Sequence, residues 1–422
     1  MTKVANRNCW LDYLRSFITI LVVAHHSSLA YTTFAHFNKD AYILSTHPVV
    51  NTIRWKGMDI FEDFNDIFFM SLMFLISGIF IIPSLARKGV QRFVRDRFRR
   101  LFIPFIVGVT VIMLLAYYPA WYLAHGRDGM PGGNGQTGGS GLAGLSGLFE
   151  WTWRLGWSGL RAYVVDFFTL ESWPVGPPWF IWVLFLFNLI VAGCYPFLKS
   201  WLTRWSAWVS QQQQYPGRVF LGWLLLTWIA YIPFVLWAGP NAWTGLGPFD
   251  FQLSRLVLYF CYFLLGVLIG GTELPNGILS EGSMLVKTGS FWLVGCLCAY
   301  AVLKYSEAPL TELVGRHRLS SLQATVIYRS MWVLSCTLSC MAFLTTFKEW
   351  VHRSHARWES LSANAYGIYL IHYIFVVWCQ YGLLDYNLPA VVKFIITFVL
   401  SLVLSWSLTS LIRRNAFVKK YL

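Results

Sequence analysis

The stretch LDYLRSFITILVVAHHSSLAY, Leu11–Tyr31, has the composition of a membrane-crossing helix, yet it carries Asp12, Arg15, His25 and His26. A helix in hydrocarbon satisfies its own backbone but not an ionised side chain, so ionisable residues inside a span are costly and mark a functional path. Arg15 and His26 are separated by about 16.5 Å of helical rise and by three turns plus roughly 20°. They therefore share one face at two depths, while His25 points about 100° away from His26. The plainer alternatives are that Arg15 snorkels to the interface and that a histidine only hydrogen-bonds a neighbouring helix.

The apolar character runs from end to end. Of 422 residues, 56% are hydrophobic, 18% aromatic and only 12% charged, and the mean hydropathy is +0.53; the charged share is about half that of a soluble protein. The chain is expected to be an all-α polytopic membrane protein, one transmembrane domain over 1–422. Windows of about 20 apolar residues predict a bundle of about ten transmembrane helices, near 10–31, 61–82, 101–121, 177–198, 219–238, 255–271, 289–303, 325–347, 361–383 and 389–412. With the N-terminus inside, twenty Lys and Arg fall on inward loops and ten on outward ones. The N-terminus and C-terminus are thus expected to be cytoplasmic, in a multi-pass protein of the cell (inner or plasma) membrane. The net charge of +14 is read as orientation, and no nucleic-acid partner is expected; membrane lipid is.

Several features are weighed and set aside. Lys3 and Arg7 before the first apolar run, with Ser28-Leu29-Ala30 after it, imitate a secretory signal, but Arg15, His25 and His26 argue against one. Seven of the eight cysteines lie in apolar runs and no Cys-x-x-Cys pair occurs, so they read as small buried hydrophobes and no metal site is expected. The outward loop 122–176 includes HGRDGMPGGNGQTGGSGLAGLSG, His125–Gly147, which lacks the Gly-Lys-Ser/Thr ending of a phosphate loop and reads as a linker. The following FEWTWRLGWSGLRAYVVDFF, Phe149–Phe168, suits an interfacial helix. Most of the 22 tryptophans are assigned to the aromatic belt.

Other charges form candidate sites. The inward loop from Arg87 to Arg100 holds seven cations against one Asp96. Arg97 and Arg100 fall on one helix face and can fork onto phosphate oxygens; the alternative is a plain positive-inside anchor. In MDIFEDFNDIFF, Met58–Phe69, the acidic residues Asp59, Asp63 and Asp66 recur at helical spacing. Asp66 is the deepest and is expected to orient His26. Arg255 and Arg329, near outer span ends, either meet an anionic acceptor or snorkel, and His372 reads as a packing or pore residue.

Asp12-x-x-Arg15 followed after ten residues by His26 resembles the Arg-x10-His signature in the first helix of the membrane acyltransferases of family 3. Four further elements occur in that family's order: FLISGIF (Phe74–Phe80), RFRRLFIP (Arg97–Pro104), PPWFIW (Pro177–Trp182) and SANAYGIYLIH (Ser362–His372). The resemblance implies transfer of an acyl group, commonly acetyl or succinyl, from cytoplasmic acyl-coenzyme A to a hydroxyl of an extracytoplasmic or membrane-linked glycan or related acceptor. It matches Arg97 and Arg100 to the family's Arg-x-x-Arg pair. Arg15 would then lie on the donor's path, contributing to both binding and catalysis, and His26 would act as general base. Ser77-Gly78-Ile79 stands where many members read Ser-Gly-Phe, no C-terminal hydrolase-like domain is expected, and the Gly-rich loop is not a family feature. The rival reading is a polytopic transporter or flippase for a glycan or small molecule. That class predicts weak internal symmetry with paired broken helices, and no second copy of the Arg15–His26 pattern occurs. A scaffold, the third class, predicts that replacing His26 leaves function intact.

Overall fold

A computed structural model describes residues 9–125, 159–170, 173–353 and 355–422. The described chain is helical almost throughout: α1 Cys9–Leu29, α2 Lys56–Ile79, α3 Ile81–Lys88, α4 Val90–His125, α5 over 159–169, α6 Trp179–Gln211, α7 Pro216–Ala238, α8 Leu256–Gly270, α9 Gly289–Gly315, α10 Ser321–Trp350, α11 Ala356–Gly382 and α12 Ala390–Ile412. Among the described residues the one sheet is a two-stranded antiparallel pair, β1 Trp243–Thr244 and β2 Phe251–Gln252. The Gly-rich linker and the first part of the expected interfacial helix lie outside the described residues; α5 covers the end of the latter.

Each of the ten stretches expected to span is helical. Among the described residues, eight helical segments are long and apolar enough to cross a membrane, and α1 and α9 are not among them. The shortfall follows from composition, since α1 carries Asp12, Arg15, His25 and His26, and α9 carries Lys304, Glu307 and Glu312. The multi-pass reading therefore rests on eight helices rather than ten.

α1 and α11 lie side by side and run parallel. Ser16 Oγ meets Ser362 Oγ at 2.7 Å and His26 meets His372 at 3.4 Å, both at the same offset of 346 residues. Two helices held in one register over ten residues present their polar side chains to each other level by level. α2 and α8 pack closely: a Cβ on Gly266 would meet the Leu75 carbonyl oxygen, and one on Gly78 the Phe263 carbonyl oxygen, both far inside van der Waals contact. Small residues are what let membrane helices approach so closely.

α3 ends at Gly89, whose φ of +72° turns the chain into α4 at no Cβ cost. α4 is not a uniform α-helix, because Phe98–Phe102 and Gly108–Ile112 are wound as π turns. Pro104 lies between them and has no N–H to offer the Arg100 carbonyl one α turn back. Tyr366 of α11 donates its hydroxyl to that carbonyl at 2.7 Å instead. The segment bearing Arg97 and Arg100 is thereby fastened to the same helix that faces α1.

Candidate active site

Four arginines line one cavity of about 570 Å³ between α1, α2, α4, α6 and α11: Arg15, Arg97, Arg100 and Arg413. No Asp or Glu side chain is among the described residues that line it. Arg15 sits at its edge, 42% exposed, with Nη2 donating to Asp12 Oδ1 at 3.3 Å. Arg97 lies over the Phe93 ring at 4.9 Å. Asp96, the acid next in sequence, is paired with Lys88 at 2.6 Å. A smaller cavity of about 420 Å³ shares Arg97 and Arg100 and adds Arg87 and Lys88. The structure thus brings together Arg15, Arg97 and Arg100 and adds Arg413, one of the twenty basic residues assigned to the inward side.

Thr19, Phe180 and Tyr369 also line the larger cavity. Tyr369 leads directly to the histidines: His372 Nδ1 is 2.7 Å from the Tyr369 carbonyl oxygen, and His26 Nδ1 is 2.9 Å from the Val22 carbonyl oxygen. A carbonyl can only accept, so each Nδ1 carries the proton and each Nε2 is left as the acceptor. His372 Nε2 then accepts from His26 Nδ1 at 3.4 Å. The His26 ring is also edge-on to Tyr373 and to His25, at 5.2 and 5.3 Å between centroids. His26 is consequently held as the tautomer whose unprotonated Nε2 is directed away from both of its hydrogen-bond acceptors.

Behind this pair a second chain of bonds fixes α1. Gln380 Nε2 donates to the carbonyls of His26 and Ser27 at 3.1 and 3.2 Å, so its Oε1 is the acceptor for His47 Nε2 at 2.6 Å. His47 Nδ1 is left to accept from the Tyr373 hydroxyl at 3.5 Å. Burial lowers the His47 ring to about 4, against the upward pull of the Gln380 bond, so this ring is neutral near pH 7.

Asp66 is placed differently from expectation. Its carboxylate receives Arg255 Nη2 at 2.6 Å, and Arg255 in turn lies over the Trp332 ring at 4.8 Å. A second acidic side chain near the histidines is Glu62, whose Oε1 is 3.8 Å from His25 Nε2. Asp63 pairs with Lys304 and Asp59 accepts from Thr33 N at 2.7 Å. The acidic face of α2 is therefore divided among four different partners, and the ring set against His26 is His372. No cluster of three or more His, Cys, Asp or Glu able to hold a metal occurs among the described residues.

A family model described as an acyltransferase domain, that of acyltransferase family 3, matches residues 8–410. The chain belongs to this family. Among curated relatives, glucans biosynthesis protein C of Salmonella heidelberg (strain SL476) is 22% identical over 275 residues, 63% of this chain and 58% of that protein. Glucans biosynthesis protein C of Salmonella paratyphi B (strain ATCC BAA-1250 / SPB7) is 21% identical over 273 residues, with the same shares. The chain thus spans under two thirds of the length of these relatives. No solved structure matches it. Family membership and the eight apolar helices together make it a multi-pass membrane protein of the acyltransferase-3 family.

Proposed function

We propose that the protein is a membrane O-acyltransferase that moves an acetyl or succinyl group from cytoplasmic acyl-coenzyme A to a hydroxyl of a glycan or related acceptor, extracytoplasmic or membrane-linked. The observation that carries this is the cavity lined by four arginines and, among the described residues, no Asp or Glu side chain, whose Tyr369 wall orients the His372–His26 pair. Coenzyme A is a polyanion with a long uncharged arm. Arg97 and Arg100 take its phosphates, Arg15 stands where the arm enters, and the arm runs up α1 toward His26. Relatives named for glucan biosynthesis support a glycan as acceptor.

In the transfer, His26 Nε2 takes the proton of the acceptor hydroxyl while its oxygen forms a bond to the thioester carbonyl carbon. Collapse of the tetrahedral intermediate breaks the carbon–sulfur bond, and the departing thiolate recovers the proton from His26. Ester and free thiol are the products, with no net proton change and no acyl-enzyme. The orienting role expected of Asp66 passes to His372, which accepts from His26 Nδ1 and gains strength as His26 becomes cationic. Asp66 instead holds Arg255 through its carboxylate.

The test is mass spectrometry of envelope glycans and lipids from cells with and without the chain, followed by transfer from labelled acetyl- and succinyl-coenzyme A by the purified protein. One acyl mass on a glycan or lipid, present only with the chain, is expected. Identical envelopes, together with no consumption of either donor, would overturn the proposal.

A further inference from the structure

Two side chains that line the arginine cavity each carry a buried polar atom with no hydrogen-bond partner, and the two atoms are of opposite kinds: Arg413 Nε, a donor, and Asn188 Oδ1, an acceptor. Neither results from an undecided side-chain orientation. Asn188 Nδ2 donates to the Leu184 carbonyl at 2.6 Å, which commits the amide and leaves Oδ1 facing elsewhere. Arg413 Nη1 donates to Asn364 Oδ1 at 3.2 Å, and Asn364 is itself fixed by its Nδ2 donating to the Ser360 carbonyl at 2.8 Å. A buried group without a partner costs stability, and native proteins keep few of them. Two in one cavity, one cationic and one a neutral acceptor, describe a ligand that offers both anionic oxygens and N–H or O–H donors.

The placement fits such a ligand. Asn364 lies between Ser362 and Tyr366, which both line the cavity, so Arg413 reaches it from the far end of α12 at the level of Arg15 and the Arg97–Arg100 segment. It brings a guanidinium from a helix that supplies no other charged side chain to this wall. A simple anion such as pyrophosphate would answer Arg413 and leave Asn188 unpaired. Acyl-coenzyme A answers both, because its pantetheine arm carries amide N–H groups and a hydroxyl beside the diphosphate.

We propose that Arg413 and Asn188 are donor-binding residues, Arg413 taking a phosphate oxygen of acyl-coenzyme A and Asn188 accepting a hydrogen bond from an amide or hydroxyl of the pantetheine arm. This rests on the acyl-coenzyme A reading above. Arg413 is thus more than a positive-inside anchor, and the last helix of the bundle is a wall of the donor site.

The experiment measures binding of three probes to the purified full chain: coenzyme A, adenosine 3′,5′-bisphosphate, which lacks the arm, and pantetheine, which lacks the phosphates. Arg413→Ala is expected to weaken coenzyme A on the order of tenfold or more, to weaken the bisphosphate, and to leave pantetheine unchanged, with the coenzyme A loss shrinking at high salt. Asn188→Ala is expected to weaken coenzyme A and pantetheine several-fold and to leave the bisphosphate unchanged. Should Arg413→Ala not elute as a single species, Arg413→Lys serves, since lysine keeps the charge but lacks the Nε donor, and a several-fold loss for coenzyme A is expected. Wild-type affinity for coenzyme A in folded Arg413 and Asn188 variants, alongside a loss in Arg97→Ala, overturns this assignment and leaves the donor reading standing. A wild-type chain that binds none of the three probes overturns the donor reading and the assignment with it.

Discussion

At the residue scale, two adjacent histidines with the same local hydrophobicity face different surroundings. His26 is bonded to Val22 and His372, whereas His25 is set against Glu62 and Phe69. If His26 is the base, His26→Ala lowers turnover on the order of a hundredfold or more, the usual contribution of general-base catalysis, while donor affinity persists. His25→Ala is much milder. Because the base works neutral, turnover falls toward acid pH along one titration, and this limb vanishes from the residual activity of the His26 variant. The measurement is acyl transfer, or donor hydrolysis, by monodisperse variants with a labelled donor; a loss confined to His25→Ala would move the chemistry to the His25 face of α1 and overturn the His26 assignment. The shared face of Arg15 and His26 was legible in the sequence because both belong to one helix, whose rise and rotation per residue are fixed. His372 and Arg413 were not legible as partners, because they meet α1 and the cavity from helices more than 300 residues away in sequence. The same limit explains Asp66. Its depth on α2 could be read, but the Arg255 that claims its carboxylate stands 189 residues further on, and helix pairing across such a distance leaves no periodic trace.

At the scale of elements, apolar length located the helices and left their irregularities unseen. The π turns of α4 have no hydropathy signature, although Pro104 marks where the ordinary ladder must fail. The α2–α8 seam is similar: Gly78 and Gly266 look like loosely tolerated glycines in two apolar runs, and only their apposition shows that each faces a backbone carbonyl. Any side chain there must push two helix backbones apart, since no flexible group is present to yield. Gly266→Ala is therefore expected to destabilise the bundle by about 1–3 kcal/mol, the range for overpacking a filled interior. Gly217→Ala, where a Cβ would meet nothing within 4 Å, provides the control and is expected to leave the melting temperature unchanged or slightly raised. Equal melting of wild type and Gly266→Ala in detergent would show that α2 and α8 are not packed this closely. The seam matters for the site because α2 carries both Glu62 beside His25 and Met73, Ile76 and Ser77 of the arginine cavity wall, so separating α2 from α8 disturbs both.

At the scale of the whole molecule, the donor proposal depends on which side of the membrane the arginine cavity opens to, and helix packing bears on this through parity. α1 and α11 run parallel, and α2 and α8 also run parallel, since Asp66 pairs with Arg255 while Leu75 and Ile79 lie against Gly266 and Gly270. Both relations require an even number of crossings between the helices concerned. Ten alternating helices satisfy that condition, with α1 first, α2 second, α8 sixth and α11 ninth. α1 and α9 fall short as membrane helices by composition, and counting both as crossings gives an arrangement compatible with that parity. In that arrangement twenty basic residues fall on one side against ten on the other, and the retention of Lys and Arg in the cytoplasm predicts that the richer side is the cytoplasmic one. Reporter fusions after Gly89 and after Lys420 are then expected to report cytoplasm, and fusions within 132–147 the outside. The Gly89 fusion is the decisive one because that turn joins α3 to the start of α4, eight residues before Arg97, so its side is the side of Arg97 and Arg100. A cytoplasmic reporter there gives the cavity access to coenzyme A made in the cytoplasm, and puts His26 on the path from donor to the opposite face. An outward reporter at Gly89 would separate the arginines from that pool altogether, and the donor would then have to be an anion available outside the cell.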